Sequence, residues 1–428
     1  MTVRQTASTP ISSTARLILA ARFWRSIAQG ALVVDLALYL NALHWSGLAI
    51  GGVLSGAGLA GSAFGLMIGF VSDRFGRKQF LIFYEAVGCV CGVVAFLTSN
   101  TPLLAAAVIF GGFGRGANGA AGSFASAEDA WLAESVEPIE RGYVFSLKSS
   151  IGFAGMALGA MTAMLPPLWS NALGPAVSHR PLFLTVVLGG VVNILILRKA
   201  AERKRTPPPA GDEARAKPPE ETRGHENRFL FRLMMINALN GLAVGLTGPL
   251  MSYWFALRFH VGADLIAPVM GGTFLAVAVV AQFTGEMGRR SGMVNVLLWT
   301  RWSGMGLLLI LPLMPIYALA ALVHILRTAL ISGTIGTRQA LVVSAVRNER
   351  TGLASSLNTF SGRLPQSIGP TLAGSCIGAG WFMTPFYLGA VFQGAYIFLF
   401  DRLFRQVEHK IMGQEAPAAG TTTKGTGY

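Results

Sequence analysis

The chain has 428 residues, of which 52% are hydrophobic and only 13% charged, and its mean hydropathy is +0.53. A water-soluble surface needs about 25% charged residues, so lipid is the expected solvent. The net charge of +14 does not mark a nucleic-acid binder, because its Lys and Arg residues sit in short loops between apolar stretches.

Hydropathy divides the chain into stretches of about 20 mostly apolar residues, the length that crosses a bilayer. Residues 1–16 are polar. The stretch that follows, Leu17–Leu43, is longer than the ~7–15-residue core of a signal peptide and is predicted to be a retained first span. Further spans are predicted over Gly47–Val71, Gln79–Leu97, Leu103–Ala127, Ser149–Leu168 and Pro181–Leu197. Residues 198–228 then carry a basic run, Pro207-Pro208-Pro209 and mixed charges, which predict a disordered linker. Six more spans are predicted over Leu233–Leu257, Leu265–Thr284, Met293–Leu311, Ile316–Val343, Leu353–Gly378 and Trp381–Phe400. Residues 406–428 form a tail, disordered after Met412. The expected fold class is an all-α membrane protein of twelve transmembrane helices, six in a bundle over 17–197 and six in a bundle over 229–405. The three cysteines, Cys89, Cys91 and Cys376, lie inside apolar stretches, with the first two on different sides of one helix. That arrangement argues against a disulfide framework.

Basic residues fall in alternate loops. One set holds Arg74, Arg77 and Lys78, then Arg141 and Lys148, then Arg198 to Arg205, Arg289 and Arg290, and Arg347 and Arg350. The other set holds little besides Arg180 and Arg258. This asymmetry places both termini and the linker in the cytoplasm of a cell-membrane protein.

The halves resemble each other. Glu140-Arg141 matches Glu349-Arg350, Gly159 matches Gly369, and Gly76-Arg77-Lys78 matches Gly288-Arg289-Arg290, each about 210 residues on, as in a parallel repeat. The abundant glycines, in ladders such as Gly47, Gly51 and Gly61, Gly65, Gly69, suit close helix packing.

After the second span the chain reads Gly69-Phe70-Val71-Ser72-Asp73-Arg74-Phe75-Gly76-Arg77-Lys78. This resembles the signature loop of the major facilitator superfamily. Gly69 permits close helix contact and Gly76 a tight turn, and Asp73 suits a helix N-terminus in the adjacent bundle. Arg74, Arg77 and Lys78 suit pairing across the interface or with lipid phosphate. The resemblance implies a gate between the halves. In the second copy, Gly285 stands where the motif has its acid. In span 4, Arg115-Gly116-Ala117-Asn118-Gly119 is similar to a pattern of proton-coupled members, with Asn118 in place of Gln. Span 5 lacks the Gly-Pro pair of drug–proton antiporters, whereas span 11 has Gly369-Pro370.

An ionisable residue in a span costs about 2.5–3.5 kcal/mol on insertion scales, so each needs a partner or a purpose. Asp35 is the carboxylate expected well inside the cavity. Burial disfavours its charged form and a neighbouring Arg115 favours it, so the pair is read either as proton-coupling or as a structural ion pair. Glu85, Glu128 and Asp129 read as interface residues. Arg22 and Arg25 are expected to snorkel, with Arg25 also a cavity candidate, and Arg301, on a span that the resemblance makes peripheral, is expected to be structural or to snorkel. Arg327 and Arg363 are cavity candidates, and with Arg115 they form a cationic surplus suited to an anionic substrate. His324 reads as a packed histidine. Tyr39, Asn118, Asn237, Asn240, Tyr253 and Gln366 are further cavity candidates. Metal clusters, nucleophile elbows and nucleotide loops are absent from the sequence, so neither an enzyme nor a cofactor is expected. The expected protein is a monomeric, proton-coupled secondary transporter of a small organic solute, with export preferred. The rivals are an importer of an organic anion by proton symport, a lipid transporter, and a non-transporting sensor of the same fold.

Overall fold

Within hydrocarbon the backbone has no water to bond, so each apolar stretch must satisfy its own N–H and C=O groups as a helix. A computed structural model describes residues 12–114, 125–137, 141–202, 220–344 and 351–415; Arg115 and Asn118 lie outside them, as do the side chains of residues 66–75. Span 1 is Ser13–Ala42, begun by Ser12, whose hydroxyl accepts the Ala15 N–H. Span 2 is Gly47–Phe75 and span 3 Arg77–Leu97. Span 4 is divided: Thr101–Gly111 stops where Gly112 and Gly114 take positive φ (66° and 70°), and Ala125–Glu134 continues it. Span 5 is Arg141–Thr162, and span 6, Phe183–Lys199, follows a 3-10 turn at Val177–Leu182.

The second half repeats this plan. Spans 7, 8 and 9 are Glu220–Thr247, Ala263–Ser291 and Met293–Ile310, and a short helix, Met251–Phe259, follows span 7. Span 10 is Tyr317–Gly333 continued by Ile335–Ser344, span 11 is Thr351–Gln366 continued by Gly369–Gly378, and span 12 is Thr384–Glu415. Among the described residues nine helical stretches are long and apolar enough to cross a membrane, and the divided spans 4 and 11 with span 12 complete the twelve. The helices exceed the apolar runs where charge is tolerated. Span 5 starts at Arg141 rather than Ser149 because the Lys148 ammonium is buried against carboxylates. Span 7 starts at Glu220, inside the segment expected to be linker.

Matched glycines do matched work. A Cβ on Gly159 in span 5 would lie 1.9 Å from the Ile27 carbonyl oxygen in span 1, and one on Gly369 in span 11 would lie 2.2 Å from the Gly245 carbonyl carbon in span 7. Each six-helix bundle therefore closes by backbone-to-backbone approach at a site where only hydrogen fits.

The bundles meet at the face opposite the termini. There a single buried apolar cluster runs from Leu32–Leu40 of span 1 through Leu250–Phe255 to Ala373 and Ile377 of span 11. Toward the termini the cores are separate, one built on Ala15, Leu81 and Trp131, the other on Leu233, Leu297 and Phe404. The seam between bundles is again made of small residues. A Cβ on Gly47 would lie 2.2 Å from the Gly374 oxygen and one on Gly51 2.1 Å from the Pro370 oxygen. Ser55 Oγ sits 2.7 Å from Thr371 Oγ1 and accepts the Thr371 N–H at 3.1 Å.

These contacts separate folding from conformation. Gly159→Val, inside a bundle, should cost about 1–3 kcal/mol of overpacking and lower the unfolding midpoint in detergent. Gly51→Val, at the seam, should leave that midpoint nearly unchanged and hold the bundles apart. In a background lacking the three native cysteines, a cysteine at Ser55 should then react faster with a membrane-impermeant maleimide. Equal labelling with and without Gly51→Val would show that the seam does not control access.

Candidate functional site

Asp35 is fully buried in the half of span 1 that joins the shared core. Its Oδ1 lies 2.7 Å from Nδ1 of His179, which the 3-10 turn before span 6 delivers, while Oδ2 has no hydrogen-bond partner among the described residues. The imidazole is packed beside Tyr39, with ring centroids 6.0 Å apart, and Tyr39 meets Phe183 edge to face. Aspartate and histidine in contact can hold one proton more or one fewer without rearranging heavy atoms. The expected partner Arg115 lies outside the described residues. His179 was not singled out in the sequence, because it is 144 residues from Asp35 and its short turn carries no motif.

Two sequence expectations for span 1 are corrected. Arg22 and Arg25 do not reach toward solvent; they are 2% and 5% exposed. Arg25 donates through Nε to Glu85 Oε1 at 2.5 Å and pairs through Nη1 with Glu128. Lys148 meets Glu128 at 2.7 Å and also Asp129, and Gly152 leaves room for Arg22, which lies in the field of Glu128. Glu85 and Glu128 are thus buried counter-charges rather than interface residues, and only Asp129 keeps a half-exposed side chain. Three cations face three carboxylates in this network. Arg25, Glu85 and Gln29 line a cavity of about 60 Å³ within this bundle, beside the glycine break of span 4. It has room for a few waters. Asn193, fully buried with neither side-chain polar atom bonded among the described residues, also lines it.

The second bundle differs. Arg301 is 3% exposed and does not snorkel; of the two expected roles the structural one fits, since it donates to Asn240 Oδ1 at 3.2 Å and lies over the Tyr396 ring at 5.5 Å. The reason is geometric, since spans 7 and 12 present a polar residue and an aromatic face to it. Arg327 donates to Thr247 Oγ1 at 3.1 Å, and Arg338 to Asn237 Oδ1 at 3.4 Å. His324 packs edge-on against Phe255, centroids 5.7 Å apart, as expected of a packed histidine. Tyr253 is buried in the shared core, and Arg363 and Gln366 are half-buried on span 11, the Gln366 backbone closing on Gly245.

At the signature loop Gly76 has φ 89°, which explains the glycine. The Glu202 carboxylate accepts the Arg77 and Lys78 N–H groups at 2.7 and 3.3 Å, capping span 3, and Lys78 Nζ donates to the Arg198 and Ala200 carbonyls at 2.8 Å each. Arg77 also pairs with Glu134 at 2.6 Å. These contacts tie together the ends of spans 3, 4 and 6 within one bundle. The side chains of Gly69 to Arg74, Asp73 among them, lie outside the described residues.

Two helix bundles sharing a core at one face and parting at the other, with charge buried in both, are the architecture of a two-halved membrane transporter, not an enzyme. A sequence profile for the Major Facilitator Superfamily matches residues 18–370. The chain belongs to that superfamily, whose members carry small molecules across membranes. A solved nucleoside transporter, NupG, superposes with a TM-score of 0.70 at 13% identity, over 92% of this chain and 100% of that one. A bacterial homologue of the human lysosomal transporter Spinster, inward-facing and unoccupied, gives 0.69 at 13% identity, over 94% and 99%. A D-xylose-proton symporter gives 0.67 at 13% identity, over 90% and 97%. An uncharacterized membrane protein of Saccharomyces cerevisiae is 29% identical over 147 residues, 34% of this chain and 32% of that protein, so the chain spans about a third of the curated relative it matches.

The buried network makes a direct prediction. Glu128→Gln leaves Arg25 and Lys148 short of a counter-charge and should cost about 3–5 kcal/mol, read as a lower unfolding midpoint and folded yield. Asp129→Asn, at a half-exposed position, should cost no more than about 1 kcal/mol. Equal losses in the two variants would contradict a network centred on Glu128.

Proposed function

We propose that this protein is a proton-coupled secondary transporter of a small organic solute, a monomer in the cell membrane with both termini in the cytoplasm. The observation that carries the reading is the Asp35–His179 pair, a buried carboxylate and imidazole at the edge of the shared core. The loop charges support the orientation, which puts the shared core on the outer side and the separated cores toward the cytoplasm. The shared core is then an outer gate in its closed state.

Opening this gate parts span 1 from Met251–Phe259, with which it packs, and lets water reach Asp35. Protonation of the carboxylate removes the charge that holds His179, and closing buries a neutral acid at lower cost than an anion. A proton taken up outside and released inside can drive a solute outward. Export is preferred because Arg115 to Asn118 resembles proton-coupled efflux members; Arg77 and Lys78 anchor the loop whose Asp73 serves as the opposing gate. The buried arginines of the second bundle favour the rival, an importer of an organic anion.

Proteoliposomes screened with cationic and anionic compounds under an imposed pH gradient test the reading. Asp35→Asn, fixed in the protonated form, should abolish pH-driven accumulation and retain downhill exchange. Asp35→Glu should keep partial coupling, and His179→Gln should shift the pH at which accumulation falls. Uphill transport by Asp35→Asn at the wild-type rate with the same pH dependence would return Asp35 to a structural role.

A further inference from the structure

The second bundle buries positive charge that no carboxylate in the described structure meets. Arg301 on span 9 and Arg327 on span 10 are 3% and 6% exposed. Their hydrogen bonds go to neutral groups, the Asn240 amide and the Thr247 hydroxyl. Tyr396 favours the charge on Arg301, but the charged residues that act on the pair, Arg338 on Arg301 and Arg301 on Arg327, are like charges. The Nε of each guanidinium has no hydrogen-bond partner among the described residues. Arginine does not escape burial by losing its proton, as lysine can. In the first bundle the same problem is solved by Glu85, Glu128 and Asp129.

The two arginines belong to one layer of the bundle. Their partners Asn240 and Thr247 are seven residues apart on span 7, two turns along one face, about 10 Å. Span 12 runs alongside with the matching stripe. Gly389 sits against Thr247, Tyr396 lies under Arg301, and Gln393 falls between them on the same face. Gln393 is 1% exposed, and neither its Nε2 nor its Oε1 has a partner among the described residues. Spans 9, 10 and 12 thus each bring an unmet donor to this layer of the bundle. A buried charge without a counter-charge costs several kcal/mol, and a buried donor without an acceptor adds to it. One ligand relieves all of these.

We infer that the second bundle holds a site for a singly charged anion, a halide or the carboxylate of an organic solute, between Arg301 and Arg327, with Gln393 as a neutral donor. The site is a property of this bundle and holds for transport in either direction, independently of proton coupling at Asp35.

The test is thermal unfolding of the full-length protein in detergent, followed by tryptophan fluorescence. The buffer anion is a bulky sulfonate, exchanged for chloride in one series and acetate in another at constant ionic strength. An anion that binds only the folded state raises the midpoint with saturation. A saturable rise with at least one probe is expected, abolished by Arg301→Gln and by Arg327→Gln and kept in Arg402→Gln, whose residue lies exposed on span 12. A rise with chloride alone identifies a resident inorganic ion. A rise with acetate alone identifies the carboxylate of a solute. No saturable rise with either probe, or the same rise in Arg301→Gln and Arg327→Gln as in wild type, overturns the site. If those variants do not fold, the wild-type series alone decides.

Discussion

A charge enclosed by hydrocarbon must find its counter-charge within the protein, and most of what distinguishes this transporter follows from that constraint. The first bundle meets it internally. Arg25 stands between Glu85 of span 3 and Glu128 of span 4, and Lys148 of span 5 closes on the same Glu128. One network thus links four helices, and Arg22 lies beside it in the field of Glu128 and Asp129. The second bundle uses the same fold with neutral partners for its arginines. Two halves alike in backbone are therefore unlike in electrostatics. One meets its buried cations with carboxylates, and the other meets Arg301 and Arg327 with neutral groups.

The seam between the halves obeys a different rule. Within each bundle, glycines allow backbones to touch, and lipid does not compete with that contact. Across the seam the same device appears at Gly47, Gly51 and Gly374, reinforced by little more than the Ser55–Thr371 contact. A contact made by shape, with few hydrogen bonds and no ion pair among the described residues, can be broken and remade without leaving buried polar groups unsatisfied. This is what a gate requires. Asp35 sits where it can feel such an opening, because span 1 contributes to the shared core while its carboxylate is held by a turn of its own bundle.

The twelve spans were legible because each must be apolar over a bilayer's thickness, and the two halves because matched glycines make the same backbone contact. Gly159 and Gly369 could be paired from sequence for that reason. Breaks in the helices were less legible. Gly112 and Gly114 end the first part of span 4, yet in sequence they look like the packing glycines of any span. Partnerships were the least legible. Local sequence offered snorkelling for Arg25 and left Arg301 open between a structural and a snorkelling role, because their surroundings are set by helices 60 or more residues distant in the chain. His179 lay hidden for the same reason.

The central claim is that the protonation state of Asp35 sets the outer gate. Its most direct test needs no substrate. Spin labels at Ser55 and Thr371, in a background without the native cysteines, report the distance across the seam by pulsed electron resonance as pH is varied. The account predicts two distance populations in the wild type whose ratio moves with pH, and a ratio in Asp35→Asn that stays at the acid-side value at every pH. The same pH-dependent shift in Asp35→Asn as in the wild type would contradict it.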